Sequence, residues 1–225
     1  MSVQSSSPVL APTQLIVIRH GETAWNRERR LQGQLDVPLN SHGEAQAAAL
    51  GMALQAEPLD AIYSSDLSRA LQTARALAAG RPLAVRTEPG LRERHFGEFQ
   101  GLTQVEVSER YPEGFAAWQA RVPDHAPAGG ERLVDFYARV VDITLSLARR
   151  HLGGRIALVA HGGVLDCLYR AAHGMSLDAP RKHELRNAGI NRLHSDGHRL
   201  TVAQWGDVAH LDARGLDEVD QRHVR

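Results

Sequence analysis

Two residue types are scarce in this sequence of 225 residues, which contains one cysteine and one lysine. The single cysteine, Cys167, excludes an intramolecular disulfide framework and any metal site that needs several cysteines. Cys167 lies in an apolar-rich helical pattern, so we interpret it as a buried small hydrophobic residue. The single lysine, Lys182, leaves 25 arginines among the 26 basic residues. This scarcity argues against a mechanism that forms a Schiff base on a lysine side chain.

Net charge and long apolar runs are also lacking. The 26 basic residues balance the 26 acidic ones, so the composition gives no general attraction to nucleic acid or to an anionic membrane. No apolar run is long enough to cross a bilayer. Residues 1–13 lack the basic start and continuous apolar core of a secretion signal. We therefore expect a cytoplasmic protein with no nucleic-acid or membrane partner.

The length and composition fit one sizeable α/β domain. We predict that this domain occupies residues 14–211, after a disordered lead-in at 1–13 and before a loose, charged tail at 212–225. Asp196-Gly197 supplies the turn of a predicted terminal hairpin. Apolar runs rich in β-branched residues predict four earlier strands, at 15–18, 60–64, 82–87 and 155–160.

Helix signals lie between these strands. Capping boxes predict helix starts at Ser41 and Thr103, and Asp66 can cap the helix between them. The stretch 112–130 is rich in Pro, Gly and aromatic residues, and we interpret it as an irregular insertion or lid. Strands that alternate with helices predict a mainly parallel sheet with helices on both faces, and the hairpin adds an antiparallel element at one edge. Further helices are predicted at 131–151 and 163–173.

Charged and nucleophilic side chains follow the four earlier strands. In open α/β sheets, ligands bind beyond the carboxyl ends of the strands. We therefore expect two histidines, two arginines and one carboxylic acid on one side of the sheet. These residues are Arg19 and His20 after the first strand, Arg69 one turn into the helix after the second, Glu93 after the third and His161 after the fourth.

This set of groups suits phosphoryl transfer through a histidine. A phosphate dianion does not repel a neutral imidazole, and arginine guanidinium groups neutralise the oxygens over which transition-state charge is spread. A second histidine, protonated, would add a further donor. A carboxylic acid near the anion would have a raised pKa and could protonate the leaving alkoxide, after which the carboxylate could activate water.

Several charged residues and histidines near these strand ends also have simpler interpretations when each is taken alone. Arg69 is placed to form a surface ion pair with Asp66. Glu93 lies among charged loop residues and would be solvated, and His95 fits a structural role. The hypothesis of a joint site therefore depends on the strand ends meeting at one place.

Nine short motifs occur in a fixed order between about Gln14 and Trp205. They resemble the motifs of the histidine phosphatase superfamily, the phosphoglycerate-mutase-like group. The motifs are Arg19-His20-Gly21-Glu22-Thr23, Trp25-Asn26, Gln32-Gly33, Asp36-Val37-Pro38-Leu39, Ser64-Ser65-Asp66-Leu67-Ser68-Arg69-Ala70, Thr73-Ala74, Glu93-Arg94-His95-Phe96-Gly97, Gln100-Gly101 and His161-Gly162-Gly163.

The resemblance implies a three-layer α/β/α sandwich with a mostly parallel sheet. It also implies a phosphatase that uses neither metal nor cofactor and acts on a small phosphorylated metabolite. His20 would be the nucleophile that becomes phosphorylated, and Glu93 would be the proton donor. The remaining roles would be a phosphate pocket formed by Arg19, Arg69 and His161, and contacts to phosphate or substrate from Asn26, Gln32, Gly33 and Gly162.

A phosphoglycerate mutase that depends on 2,3-bisphosphoglycerate is the main alternative. The mutases that this chain resembles carry a lysine where Gln104 stands, a pair of arginines where Arg121 stands alone, a longer insertion and an asparagine where Gly163 stands. Because fewer fixed cations favour hydrolysis of the intermediate, we predict a phosphatase.

Two further hypotheses belong to other classes. One is a phosphate-binding module without turnover, and the other is a metallohydrolase. Two histidines without clustered carboxylate ligands argue against the metallohydrolase. The sequence leaves the assembly open, with a homodimer among the options.

Overall fold

The computed structural model describes residues 11–211, and strands alternate with helices along this part of the chain. Its six strands are β1 (Thr13–Arg19), β2 (Ala61–Ser64), β3 (Val85–Thr87), β4 (Arg155–Ala160), β5 (Ile190–Ser195) and β6 (Leu200–Asp207). Its α-helices are α1 (Ala24–Arg27), α2 (Ser41–Leu54), α3 (Ser68–Ala78), α4 (Gln104–Arg110), α5 (Pro112–Gln119), α6 (Leu133–Arg149) and α7 (Gly162–His173).

The strands form a single mixed sheet in the order β3-β2-β4-β1-β5-β6. The first four strands in this order run parallel to one another. β5 runs antiparallel to β1, and β6 runs antiparallel to β5. The predicted mainly parallel sheet with an antiparallel hairpin at one edge is therefore confirmed.

Side chains of β1 alternate between the two faces of the sheet, as the two-residue period of a strand requires. Leu15 and Val17 join a core cluster with residues of α6 and α7, and Cys167 lies buried in this cluster. Ile16 and Ile18 join a second cluster with residues of α2 and α3. Helices thus cover both faces, which confirms the three-layer sandwich and explains the unbroken apolar run in β1.

The capping residues of two helices test the predicted starts. Asn40, and not Ser41, caps α2, because its side chain accepts a hydrogen bond from the Gly43 N–H at 2.8 Å. The predicted capping box at the start of α4 is confirmed, with Thr103 and Glu106 each accepting a hydrogen bond from the other's backbone N–H.

The prediction that Asp66 caps α3 is wrong. Both oxygens of its carboxylate accept hydrogen bonds from the Arg92 guanidinium, at 2.7 and 2.5 Å. The N–H of Ser68, at the start of α3, donates instead to Asp36, which also accepts the Ser68 hydroxyl proton. The acceptor at this helix start therefore comes from a loop 32 positions earlier, which a search for local caps does not reach.

Several bounds differ from the sequence-based expectations. The stretch 112–130 contains α5, so it is not irregular throughout. β3 begins only at Val85, and β1 already begins at Thr13, one residue before the predicted start of the domain. Residues 1–10 of the predicted lead-in and the predicted tail at 212–225 lie outside the described residues.

The helices of residues 11–211 are short or amphipathic. Even α6, with 17 residues, has buried residues along one face only. None of these helices is long and apolar enough to cross a membrane.

Candidate active site

Two histidines lie side by side where the central strands β1 and β4 end. The parallel register pairs Arg19 with Ala160, so His20 and His161 leave neighbouring strands at the same level. The His20 N–H donates to the Ala160 carbonyl at 2.9 Å. The centroids of the two imidazole rings are 5.2 Å apart. The structure thus brings together the two histidines that the strand ends predicted.

A backbone contact fixes the tautomer of His20. Its Nδ1 lies 2.7 Å from the Gly21 carbonyl oxygen, and because a carbonyl only accepts, Nδ1 carries the proton. Burial lowers the pKa of His20 well below its ordinary value, and the charges of Arg69 and Arg19 lower it further. His20 is therefore a neutral imidazole whose Nε2 lone pair is available as a nucleophile.

Gly21 and Gly43 allow the loop after β1 to approach α2 closely. A Cβ at Gly21 would lie 2.5 Å from the Gly43 carbonyl oxygen, and a Cβ at Gly43 would lie 2.0 Å from the Glu22 carbonyl oxygen. Neither position has room for a side chain. The two glycines therefore hold the loop that carries His20 against the first turn of α2.

Two buried arginines flank the histidines, and backbone carbonyls orient both of them. Arg69 donates to the Leu35 carbonyl at 2.9 Å and to the Gly33 carbonyl at 2.7 Å. Arg19 donates to the Leu185 carbonyl. The simpler interpretation of Arg69, a surface ion pair with Asp66, is wrong, because Arg69 is 1% exposed. Two fixed guanidinium groups beside the histidine rings form a cationic pocket.

His161 forms the other side of this pocket. It is fully buried at the start of α7, and neither ring nitrogen has a hydrogen-bond partner within residues 11–211. Burial lowers the pKa of His161 well below its ordinary value, with further lowering by Arg69, His20 and Arg19. The protein's own groups thus favour the neutral form of His161. A bound phosphate dianion would act in the opposite direction and favour the imidazolium.

Glu93 lies buried against the start of α7, and not in solvent as its charged neighbours suggest. Its Oε1 accepts a hydrogen bond from the Arg94 N–H at 2.7 Å, and its Oε2 accepts one from the Gly163 N–H at 2.9 Å. Gly163 is two residues after His161. The carboxyl group thus reaches the same end of the sheet as the two histidines.

The four predicted substrate contacts lie around this pocket. Asn26 is buried in α1 and forms a capping box with Thr23. Gln32 is buried, and the carbonyl of Gly33, whose φ is +53°, accepts from Arg69. Gly162 is the first residue of α7. Each of the four is therefore buried or backbone-constrained close to the arginines and histidines.

Asn187, which no sequence pattern singles out, supports His20 from a distant part of the chain. The Asn187 side-chain amide donates to the His20 carbonyl at 2.9 Å. The N–H of Ala188 donates to the Arg19 carbonyl at 3.0 Å, with Ala188 in the left-handed region at φ +54°. A separation of 167 positions links Asn187 to His20. No local pattern signals this contact, and only the unusual backbone at Ala188 marks it in the structure.

A cavity of about 140 Å³ opens beside Glu93 and the start of α7. It has aromatic and aliphatic walls, and arginines lie among them. Its lining includes Leu31, Arg94, Phe96, Gln104, Trp118, Phe136 and Arg181. The cavity therefore offers room for an organic group attached to a phosphate in the cationic pocket.

Arg121, in the wall of this cavity, is bound to the protein itself. Its guanidinium donates to the Asp166 carboxylate at 2.6 Å and to the Leu177 carbonyl at 2.7 Å. Asp166 also accepts from Arg170 at 3.0 Å. Burial alone would raise the pKa of Asp166, but His183 and the two arginines hold it far below its ordinary value. This carboxylate thus ties the chain after α5 to α7.

The described part of the chain offers no cluster for a metal ion. No group of three or more His, Cys, Asp or Glu side chains in residues 11–211 is arranged to hold one. The donors beside His20 are instead guanidinium groups and a second imidazole. Such donors bind an anion directly.

Sequence comparisons place this arrangement among known proteins. Residues 15–208 match the family model of the histidine phosphatase superfamily, branch 1. The chain is 41% identical to phosphoglycerate mutase-like protein 4 of Arabidopsis thaliana, over 90% of this chain and 89% of that protein. It is 37% identical to a metal-independent phosphoserine phosphatase of the same plant, over 91% of this chain and 85% of that protein.

Solved structures agree with this assignment. Bacillus stearothermophilus YhfR superposes with a TM-score of 0.82 at 36% identity, covering 89% of this chain and all of that one. The phosphoserine phosphatase of Entamoeba histolytica, solved with 3-phosphoglyceric acid, superposes with a TM-score of 0.79 at 26% identity. It covers 89% of this chain and all of its own.

Proposed function

The chain belongs to the histidine phosphatase superfamily, branch 1, and from this premise we propose that it hydrolyses phosphate monoesters through a phosphohistidine on His20, without a metal. One observation carries the proposal most directly. A neutral imidazole, its tautomer set by the Gly21 carbonyl, lies beside His161 and the buried guanidinium groups of Arg19 and Arg69.

The first half of the reaction transfers the phosphoryl group to His20. Nε2 forms a bond to phosphorus while the ester P–O bond breaks, and the electron pair leaves with the alcohol oxygen. Glu93 gives that oxygen a proton and becomes a carboxylate. Arg19, Arg69 and His161 stabilise the charge on the phosphoryl oxygens.

The second half releases inorganic phosphate. Water attacks phosphorus, and the Glu93 carboxylate takes the proton that the water loses. The P–N bond breaks, and its electron pair returns to Nε2 of His20. The proton from water replaces the one that Glu93 gave to the alcohol, so the enzyme returns to its starting state.

The cavity beside Glu93 is the proposed site for the alcohol part of a small phosphorylated metabolite. Arg94 lines it, is 5% exposed and donates to the Glu131 and His125 carbonyls. Burial lowers the pKa of Arg94 to about 10. A buried guanidinium in the cavity wall favours a substrate with a second anionic group, as in phosphoserine, the substrate named for one relative.

The test of this function is hydrolysis in the presence of EDTA. The enzyme should release p-nitrophenol from p-nitrophenyl phosphate and phosphate from phosphoserine under these conditions. After an alkaline quench, which preserves phosphohistidine, radiolabelled substrate should leave label on the wild-type protein and none on His20→Ala. Loss of turnover in EDTA, or equal labelling of both proteins, would contradict the proposal.

A mutase is the second candidate function, because one relative is named as phosphoglycerate mutase-like. Two features of the cavity argue against it. Arg121 is held by Asp166 and the Leu177 carbonyl, and Gln104 lines the cavity where a mutase would have a lysine. Interconversion of 2- and 3-phosphoglycerate faster than phosphate release, in the presence of 2,3-bisphosphoglycerate, would establish the mutase.

A further inference from the structure

The Glu93 carboxyl group occupies the space that a side chain at position 163 would fill. A Cβ built on Gly163 would lie 2.2 Å from Glu93 Oε1 and 3.1 Å from its carboxyl carbon. Real Cβ atoms do not approach other atoms to 2.2 Å. In this chain a Cβ at position 163 therefore displaces the start of α7 or, more easily, the Glu93 carboxyl group, which is the end of a flexible side chain.

The backbone of Gly163 also fixes the direction of this carboxyl group. Oε2 accepts the Gly163 N–H at 2.9 Å, while Oε1 accepts the Arg94 N–H at 2.7 Å. His161, the N-cap residue of α7, makes no side-chain capping hydrogen bond. Glu93 thus satisfies an N–H in the first turn of the helix. Two N–H donors at opposite oxygens leave the carboxyl plane little freedom to rotate.

We propose that Gly163 is the positioning residue for the proton donor, a role that it performs by having no side chain. Its missing Cβ leaves the volume that Glu93 occupies, and its N–H orients the carboxyl group at the end of the sheet that holds His20 and His161. This inference rests on the proposed function, because it assigns Gly163 a role through Glu93.

The Gly163→Ala variant isolates the missing volume, because alanine keeps the N–H. In the step that phosphorylates His20, the position of Glu93 matters only when the leaving group needs a proton. We expect the first-turnover rate of an alkyl phosphate such as phosphoserine to fall by roughly 10²-fold, within the range for loss of a general acid. The first-turnover release of nitrophenolate from p-nitrophenyl phosphate, whose leaving group is stable as an anion, should change less than about threefold.

A double-mutant cycle separates positioning from general damage. In the Glu93→Ala background the carboxyl group is gone, so adding Gly163→Ala should lower phosphoserine turnover by less than about twofold. An equal loss from Gly163→Ala in both backgrounds would overturn the inference, and so would equal losses in the first-turnover rates of the two substrates. Thermal unfolding of all four proteins checks that each is folded.

The same samples distinguish failure of the inference from failure of the proposed function. Phosphohistidine should form on Gly163→Ala from p-nitrophenyl phosphate as it does on the wild type. If no phosphohistidine forms on the wild-type protein, the proposed function itself is wrong. If phosphohistidine forms normally on both proteins and phosphoserine turnover is unchanged in the variant, only the inference about Gly163 is wrong.

Discussion

The chemistry of His20 depends on which ring nitrogen carries its proton, and the backbone sets this. The Gly21 carbonyl accepts from Nδ1, which leaves Nε2 as the nucleophilic atom. The sequence was sufficient to pair His20 with His161, since both follow apolar strands. It could not reveal the tautomer, because that depends on how the loop after β1 turns.

Arg69 illustrates why a planar guanidinium suits this position. Two of its nitrogens are bound to the Gly33 and Leu35 carbonyls, so the plane that faces the pocket is fixed. In Arg69→Lys a single ammonium group would have to bind the Gly33 carbonyl, the Leu35 carbonyl and the phosphate at once. We expect kcat/KM for p-nitrophenyl phosphate to fall by about 10²–10³-fold. Arg75→Lys, on the exposed side of the same helix, is the matched control and should keep wild-type activity.

Asn187 is the residue whose role could least be predicted, because its partner lies 167 positions away. Asn187→Ala removes the donor to the buried His20 carbonyl and leaves that oxygen without the amide. We expect the free energy of unfolding in urea to fall by about 1–3 kcal/mol, with a lower kcat as His20 loses its support. Unchanged stability would show that the hydrogen bond contributes nothing.

Long periodic helices and apolar strands lie close to where the sequence predicts them. Helix caps and the helix in the cavity wall do not. α6 and β4 lie close to their predicted positions because their own residues supply the pattern. The start of α3 depends on Asp36, from a distant loop. α5 lies in a stretch whose Pro, Gly and aromatic content indicates irregular chain, although Pro112 fits the first turn of a helix.

The tie between Arg121 and α7 should contribute strongly to stability. Asp166→Asn removes the charge that compensates Arg121 and Arg170 in a buried setting. We expect the free energy of unfolding to fall by about 3 kcal/mol. Asp124→Asn breaks an ion pair whose carboxylate is 82% exposed, so its effect should stay below about 0.5 kcal/mol. Equal effects in urea titrations of the two variants would contradict the account of Asp166.

For the molecule as a whole, burial of neutral histidines links stability to pH. His20 and His161 have pKa values below the ordinary 6.5 when folded, so the unfolded chain binds more protons as the pH falls. Their contribution is complete above about pH 6.5 and is lost below it, by up to about 1.4 kcal/mol per pH unit for each histidine.

Urea unfolding at pH 7.5 and 5.5 measures this dependence. The wild type should be less stable at pH 5.5, and His161→Gln should lose less stability between the two values than the wild type does. His198→Gln, at an exposed position, should behave like the wild type. A wild-type protein equally stable at both pH values would contradict the assignment of neutral buried histidines.

The sheet as a whole could be predicted as parallel with an antiparallel edge, but its strand order could not. The order depends on long-range pairing between β1 and two later segments, and one sequence contains no record of such pairs. The cavity could not be predicted for the same reason, because residues of α4, α5, α6 and α7 come together to form its walls.

The position of β1 between β4 and β5 has a consequence during synthesis on the ribosome. β1 acquires these two partners only when residues 155–160 and 190–195 have followed it out of the exit tunnel. The Asn187 contact to His20 arrives just before the second of these. A nascent chain halted before residue 187 therefore carries His20 without the Asn187 hydrogen bond to its carbonyl.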